Sequence, residues 1–89
     1  MKKGLKISKK RKLIFDKKGL HAFAIQLKSI RKIKEYTQNQ LAFESGLSLS
    51  QIARIETASI NPTLSTVFKI ARTLQIPLNE FFSFELPTE

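Results

Sequence analysis

The sequence predicts an all-α fold of five helices preceded by a basic N-terminal arm. Apolar residues recur every three or four positions in three separate segments, which is the spacing of a helix face. The stretch 37–56 carries two helix-start signals separated by a glycine, and no segment has a strong strand pattern. We predict an arm over residues 1–18 and a folded domain with an apolar C-terminal tail over residues 19–89.

Composition limits the class of protein. A chain of 89 residues with 42% apolar content suits one folded domain and argues against wholesale disorder. The absence of cysteine excludes disulfides and thiolate metal sites. No apolar run approaches the roughly 20 residues of a membrane span, and no secretory apolar region follows the basic N-terminus. We therefore expect a soluble cytoplasmic protein without membrane contacts.

The net charge of +9 is concentrated in the arm. Residues 1–19 hold nine Lys or Arg against one Asp, whereas residues 20–89 hold seven against six acidic residues. Such an arm suits a phosphate backbone or an anionic membrane surface equally well, and a solubilising arm without a fixed partner is the alternative. Residues 1–16 are predicted to be mostly disordered, with Leu13-Ile14-Phe15 the one patch able to dock on a partner.

The first predicted helix covers about residues 20–34. Ile25 and Ile33 lie off its inward stripe and are expected to be exposed. The stripe consists of residues spaced by three and four: Leu20, Phe23, Ala24, Leu27, Ile30 and Arg31.

The stretch 37–56 predicts two short helices, at about residues 38–45 and 49–57, joined by a tight turn. Thr37 with Gln40, and Ser48 with Gln51, have the spacing of capping boxes. Gly46 can leave the first helix with positive φ, and Leu47 is expected to be the buried residue of the turn. Ile52 and Ile55 are predicted to face inward, and Ala42 is small where two helices cross closely.

A fourth helix is predicted at about residues 64–74 and a short fifth helix at about residues 78–82. Pro62 and Thr63 suit the start of the fourth helix. Leu78 and Phe81 are expected in the core. Phe82, Phe84 and Leu86 add more apolar surface than so small a core can bury. The inner stripe of the fourth helix is Leu64, Val67, Ile70, Ala71 and Leu74.

From Phe23 to Phe82, about two-thirds of the chain, the sequence resembles the Cro and phage-repressor type of helix-turn-helix DNA-binding domain. The landmarks occur in all five predicted helices: Leu27-x-x-Ile30-Arg31, Tyr36-Thr37-Gln38, Gln40-Leu41-Ala42, Gly46-Leu47-Ser48, Ile52, Arg54-Ile55-Glu56, Asn61-Pro62-Thr63-Leu64, Ile70-Ala71, Leu74 and Leu78-x-x-Phe81-Phe82.

The resemblance implies roles for particular positions. Thr37, Gln38 and Asn61 are expected to contact phosphates of double-stranded DNA. Arg31 and Glu56 are expected to form a buried pair that links the first helix to the end of the third. The expected base-reading residues lie early on the third helix: Ser48, Leu49, Ser50, Gln51 and Arg54.

The side chains of the expected base-reading residues have distinct chemistries. Leu49 can pack on a thymine methyl group, and Gln51 can pair with adenine. Arg54 can pair with guanine, reach a phosphate, or form an ion pair with Glu44.

Relatives of this type usually bind inverted half-sites as homodimers, so Phe82, Phe84 and Leu86 are candidates for the dimer contact.

Two departures from the family pattern concern turns. Glu35 stands where the family usually has glycine, so the turn forms without glycine or the first helix runs longer. Thr57-Ala58-Ser59 replaces the usual polar-glycine turn.

These features favour a transcriptional regulator, of repressor type, over two alternatives. One is an antitoxin or adaptor that mainly binds a small protein partner through its Phe-rich end or Leu13-Ile14-Phe15. The other is a polyanion binder that acts through its arm alone. An enzyme is not expected, since His21 stands without a nearby acid or nucleophile and no phosphate loop, cofactor motif or metal cluster is present.

Overall fold

A computed structural model describes residues 13–88, which contain five α-helices and no strand, so the all-α prediction is confirmed. The helices are α1 (Lys17–Ile33), α2 (Gln38–Ser45), α3 (Leu49–Glu56), α4 (Leu64–Leu74) and α5 (Leu78–Phe81). α3 packs against α1 and α2, α4 packs against α2 and α5, and α5 also contacts α1. Within the described range, no helix is both long and apolar enough to cross a bilayer.

α1 begins three residues earlier than the sequence predicted, because Asp16 caps it. The carboxylate of Asp16 accepts a hydrogen bond of 2.9 Å from the backbone amide of Gly19, which satisfies an amide without a partner inside the helix. A Cβ atom at position 19 would lie 2.7 Å from Asp16 Oδ2, so glycine permits this close approach. The predicted disorder of residues 1–12 lies outside the described residues, and Leu13, Ile14 and Phe15 are exposed.

The turn after α1 forms without glycine. α1 ends at Ile33, and Glu35 then adopts the left-handed conformation with a φ of 63°. The amide of Tyr36 donates to the carbonyl of Arg31 over 3.0 Å, which closes the turn. The first helix therefore does not extend through position 35. Glu35 adopts the left-handed conformation, which glycine adopts at lower energy.

The loop after α3 is also closed by a left-handed residue. Ala58 has a φ of 58° and is buried, and the amide of Ser59 donates to the carbonyl of Arg54 over 2.8 Å. Lys17 Nζ, at the start of α1, donates to the carbonyl of Ala58 over 3.2 Å. This bond holds the beginning of α1 against the exit of α3.

One apolar core joins the five helices, and its largest fully buried side chains are Phe81, Leu27, Leu41, Ile52, Ile55, Ile70 and Leu74. Two predicted core residues are more exposed than expected: Leu64 is 65% exposed and Leu78 is 40% exposed. Each occupies the first position of its helix, where the side chain lies at the rim of the core rather than between helices. Leu47 is half-buried against the core rather than fully enclosed.

Side chains from α1 hold the C-terminal segment in place. Gln26 Nε2 donates to the carbonyl of Glu80 over 2.9 Å and to Ser83 Oγ over 3.0 Å. The ring of Phe23 meets that of Phe81 edge-on at 5.1 Å and stacks with that of Phe82 at 5.6 Å between centroids. These contacts fix where the tail leaves α5.

Candidate nucleic-acid interface

α3 divides its side chains between the core and the surface. Ile52, Ile55 and Glu56 are buried, whereas Ser50 and Arg54 are exposed and Leu49 is 44% exposed. A period of 3.6 residues accounts for this division, because positions 52, 55 and 56 share one side of the helix. The opposite side is unoccupied by any other part of residues 13–88 and has an apolar, a hydroxyl and a cationic group.

Two of the five expected base-reading residues are partly engaged within the protein. Ser48 is the N-cap of α3, and its hydroxyl accepts a hydrogen bond of 3.0 Å from the backbone amide of Gln51. Gln51 is half-buried. The reciprocal bond of the predicted capping box, from the side chain of Gln51 to the backbone amide of Ser48, is not among the hydrogen bonds of residues 13–88. Leu49, Ser50 and Arg54 are therefore the most available side chains of the set.

The start of α2 presents free backbone amides beside α3. Thr37 caps the helix by accepting a hydrogen bond of 3.0 Å from the amide of Gln40, which leaves the amides of Gln38 and Asn39 without helical partners. Such amides, at the positive end of the helix dipole, suit an anionic oxygen. The side chain of Gln40 does not complete the predicted capping box but donates to Glu44 over 3.2 Å.

A buried network connects α1, α2 and α3 behind this surface. Arg31 donates to both carboxylate oxygens of Glu56, from Nε over 2.5 Å and from Nη2 over 3.0 Å. Arg31 Nη1 also donates to the carbonyl of Tyr36 over 2.8 Å. Gln38 Nε2 adds a third donor to Glu56, 2.9 Å from Oε1. The family resemblance implied the Arg31 and Glu56 pair, and the structure adds Gln38 to it.

Glu44 is hydrogen-bonded to Tyr36 and Gln40 rather than paired with Arg54. Its carboxylate accepts from the hydroxyl of Tyr36 over 2.7 Å and from Gln40, and Arg54 forms no ion pair with it in the described structure. The hydrogen bonds from Tyr36 and, secondarily, Gln40 lower the pKa of Glu44. The same bond to Glu44 raises the pKa of Tyr36, with smaller contributions from burial and from the negative charge of Glu44. The guanidinium of Arg54 therefore stays available at the surface.

A groove of about 470 Å³ lies at the C-terminal side of the domain, and Asn61 belongs to its lining. The groove is mainly apolar, and its lining includes the expected dimer residues Phe82, Phe84 and Leu86. Phe82 and Leu86 are 43% and 71% exposed, and Phe84 is half-buried. The remaining lining comes from the starts of α1 and α4: Ile14, Asp16, Gly19, Leu20, Phe23, Pro62, Leu64 and Val67. Within this lining, Asn61 is exposed, and no residue from the start of α2 belongs to the lining.

Sequence reasoning missed three positioning residues. Asp16 carries a readable signal, an acid directly before a helix, and its partner is the glycine three residues ahead. Lys17 and Gln26 carry none, because their partners lie 41 and 54 residues away in the sequence. His21 is exposed, and residues 13–88 contain no group of His, Asp and Glu arranged to hold a metal ion.

The chain matches known proteins over the region that contains these helices. A helix-turn-helix family model, HTH_3, matches residues 27–81. The transcriptional regulator SlrR of Bacillus subtilis is 43% identical over 56 residues, which cover 62% of this chain and 37% of SlrR. The immunity repressor of Bacillus phage phi105 is 43% identical over 54 residues, 61% of this chain and 38% of the repressor. The chain thus spans about two fifths of the length of these relatives.

A solved structure has the same arrangement of helices. The restriction-modification controller C.Esp1396I, bound to a 19 base pair DNA duplex, superimposes with a TM-score of 0.68 at 33% identity, covering 72% of this chain and 85% of that one. The matched proteins are regulators, repressors and controllers rather than enzymes. The family match covers more than half of the chain and includes the C-terminal part of α1 and all of α2 to α5. The chain belongs to the HTH_3 helix-turn-helix family.

Proposed function

We propose that this protein is a sequence-specific regulator of transcription that binds double-stranded DNA through α3. The observation that carries the proposal is the free outer side of α3, where Leu49, Ser50 and Arg54 are exposed while Ile52 and Ile55 are buried. An α-helix fits the major groove, in which all four base pairs can be distinguished. A relative with the same helices is bound to a DNA duplex, which supports this use of the surface.

In this proposal, the exposed residues of α3 divide the reading of bases. Leu49 packs on the methyl group of a thymine, because its side chain has no hydrogen-bonding atom. One turn later, the guanidinium of Arg54 donates two hydrogen bonds to a guanine. Ser50 contributes through its short, exposed hydroxyl group, and Gln51 contributes through a side chain that is half-buried. Ser48 caps the helix start by accepting a hydrogen bond, and its exposed hydroxyl keeps its own hydrogen to donate to the DNA.

Phosphate contacts position the domain on the duplex. The free amides and the side chain of Gln38 at the start of α2 are suited to one phosphate, with Thr37 beside them. Asn61 is exposed in the loop before α4 and is proposed to meet a second phosphate. These contacts carry little sequence information, and they fix the register in which α3 reads the bases.

The regulator is proposed to act in the cytoplasm as a homodimeric repressor on an inverted repeat. Two recognition helices about 34 Å apart meet successive turns of one face of the duplex. The exposed Phe82 and Leu86, with Phe84 in the groove, supply apolar surface for pairing with a second copy. The immunity repressor among the relatives supports repression as the outcome of binding.

The first test is footprinting on the DNA upstream of the protein's own gene, at physiological salt and with excess competitor DNA. Wild type is expected to protect a discrete inverted repeat, and Arg54→Ala is expected to abolish that protection. Removing one bidentate pairing with a base costs about 1–3 kcal/mol. Arg72→Ala, which removes an exposed cation from α4, is the matched control and is expected to bind normally. Equal binding of all three proteins, abolished by any competitor, would contradict sequence-specific reading.

A second candidate function follows from the same apolar groove. An antitoxin or adaptor would use Phe82, Phe84 and Leu86 to bind a small protein partner instead of a second copy. Sedimentation of the purified protein with and without Leu86→Asp separates the two. A wild-type dimer that the substitution converts to monomer supports the homodimer. A wild-type monomer that binds no operator favours the adaptor.

A further inference from the structure

We infer that Glu56 acts as a positioning residue for DNA binding, because its buried carboxylate holds the side-chain amide of Gln38 with a donor directed at the phosphate site. The inference rests on the proposed function of the α2 start. It assigns to the buried pair of Arg31 and Glu56 a role in affinity as well as in stability.

The chemistry of Glu56 determines how the amide of Gln38 is oriented. An ionised carboxylate only accepts hydrogen bonds, so the nitrogen of the amide, not its oxygen, must face Glu56 Oε1 at 2.9 Å. The two donors of Arg31 occupy the same carboxylate and fix it in place. The side chain of Glu56 is 1% exposed, so water does not compete for these bonds.

The amide nitrogen of Gln38 carries two hydrogens about 120° apart in one plane. When one hydrogen points inward at Glu56, the other is directed away from the carboxylate. Gln38 is the first residue of α2 and is half-buried. In the inferred arrangement, the second hydrogen points to the surface at the start of α2, where the free amides of Gln38 and Asn39 lie. The side chain and the backbone of Gln38 therefore present donors to the same phosphate.

The hold on Gln38 excludes an unproductive orientation. A free glutamine can rotate its amide and present the carbonyl oxygen, which repels a phosphate oxygen. Fixing the side chain before DNA arrives also removes the entropy cost of ordering it on binding. In this arrangement, the side-chain amide of Gln38 donates one hydrogen to the buried carboxylate and the other to the phosphate.

The test is a double-mutant cycle of operator affinity with Gln38→Met and Glu56→Gln, measured well below the melting temperature. Gln38→Met keeps the length of the side chain and removes its donors, and is expected to weaken binding about tenfold. The loss of charge in Glu56→Gln changes long-range electrostatics equally in both backgrounds, so it cancels in the cycle. The coupling between the two substitutions is expected to be about threefold to tenfold.

Single methylphosphonate substitutions in the operator identify the phosphate involved. At the phosphate beside α2, wild type is expected to lose the most affinity, while Gln38→Met and Glu56→Gln are expected to lose less. Val67→Ala lowers stability through the core alone and is expected to keep the wild-type profile. Additive losses in the cycle with unchanged phosphate profiles would overturn the inference and leave Glu56 a purely structural role.

A measurement on wild type covers the case in which Glu56→Gln does not fold. NMR relaxation of the Gln38 side-chain amide is expected to show an ordered group in the DNA-free protein, because Glu56 holds it before binding. An amide that averages freely and becomes ordered only in the complex would overturn the inference. If wild type binds no operator, the proposed function fails, while the ordered amide still reports the hold by Glu56.

Discussion

At the scale of single residues, the buried charge of Arg31 is the most demanding feature of the fold. A guanidinium removed from water requires partners for its donors, and Glu56 together with the carbonyl of Tyr36 supplies them. Buried ion pairs add little net stability over apolar packing, but the loss of one partner leaves the other charge uncompensated. The two residues therefore depend on each other.

Glu56→Ala is expected to lower the free energy of unfolding by about 3–5 kcal/mol, because Arg31 is left buried without its carboxylate. For a domain of this size, that corresponds to a fall in Tm of more than about 10 °C. Thermal unfolding followed by circular dichroism measures the change. Glu85→Ala removes an exposed carboxylate and is expected to leave Tm unchanged. A normal melting curve for Glu56→Ala would refute the dependence of Arg31 on Glu56.

Tyr36→Phe is expected to raise the pKa of Glu44 towards its ordinary value of 4.5, since the hydroxyl of Tyr36 is the main cause of the lowering. A carboxyl pKa that is lower in the folded state stabilises the fold above the unfolded pKa, and this contribution is lost as the pH falls through the folded pKa. The substitution should therefore reduce the acid sensitivity contributed by Glu44. NMR titration of the Glu44 side chain measures the pKa directly, and an unaltered titration would contradict the assignment.

At the scale of the helices and turns, three residues other than glycine have positive φ within residues 13–88: Glu35, Ala58 and Gln75. They end α1, α3 and α4 in turn. A Cβ atom in this conformation costs roughly 1–2 kcal/mol relative to a right-handed one. The turns therefore form because packing on both sides fixes them rather than because their residues prefer them.

Glu35→Gly is expected to raise the free energy of unfolding by about 0.5–1 kcal/mol, the relief of the Cβ strain less the added entropy of glycine in the unfolded chain. A rise in Tm of about 2–8 °C would follow. Glu35→Ala is the control, because it removes the exposed charge and keeps the Cβ atom. A gain in both variants would show that the charge of Glu35, not its backbone conformation, is destabilising.

The starts of α2, α3 and α4 match their predicted starts because the start signals are local. Thr37, Ser48 and Thr63 each accept the amide three residues ahead, and that bond depends on no other part of the chain. The spacing of residues also marked Leu64 as inward, but α4 starts at the rim of the core, so its first side chain is exposed. Periodicity identifies a helix face and does not show where the neighbouring helix ends.

At the scale of the whole molecule, the charge is divided unevenly between the arm and the folded part. Residues 2–12 include seven Lys or Arg and no acidic residue. The predicted arm meets the fold at its last residues, since residues 17 and 18 belong to α1 and Lys17 donates a hydrogen bond to the loop that follows α3. This junction lies next to the exit of the proposed recognition helix.

A variant without residues 2–12 is expected to show a weaker dependence of operator affinity on salt. The slope of log K against log salt should become shallower by about 0.9 for each phosphate that the arm no longer neutralises. Fluorescence anisotropy over a series of salt concentrations gives the slope. A full-length variant with glutamine at the seven basic positions separates charge from chain length and should match the deletion. An unchanged slope would mean that the arm does not neutralise phosphates.

The amino-acid sequence was sufficient to identify which segments are helices, where most of them begin, and which family the chain resembles. These features depend on hydrogen bonds and apolar spacing within a few residues, so they can be read from neighbouring positions. The sequence also indicated Arg31 and Glu56 as partners, through the resemblance.

The packing of the helices, rather than any local signal, brings Gln38 to the carboxylate of Glu56, Lys17 to the loop after α3, and Asn61 to the groove of Phe84. The two hydrogen bonds join residues 18 and 41 positions apart, and the groove gathers residues from both ends of the domain into one lining. The hydrogen-bond partner of a side chain is decided by which residues lie near it once the helices have packed, and that depends on how elements distant in the sequence contact each other. No pattern among neighbouring residues contains that information.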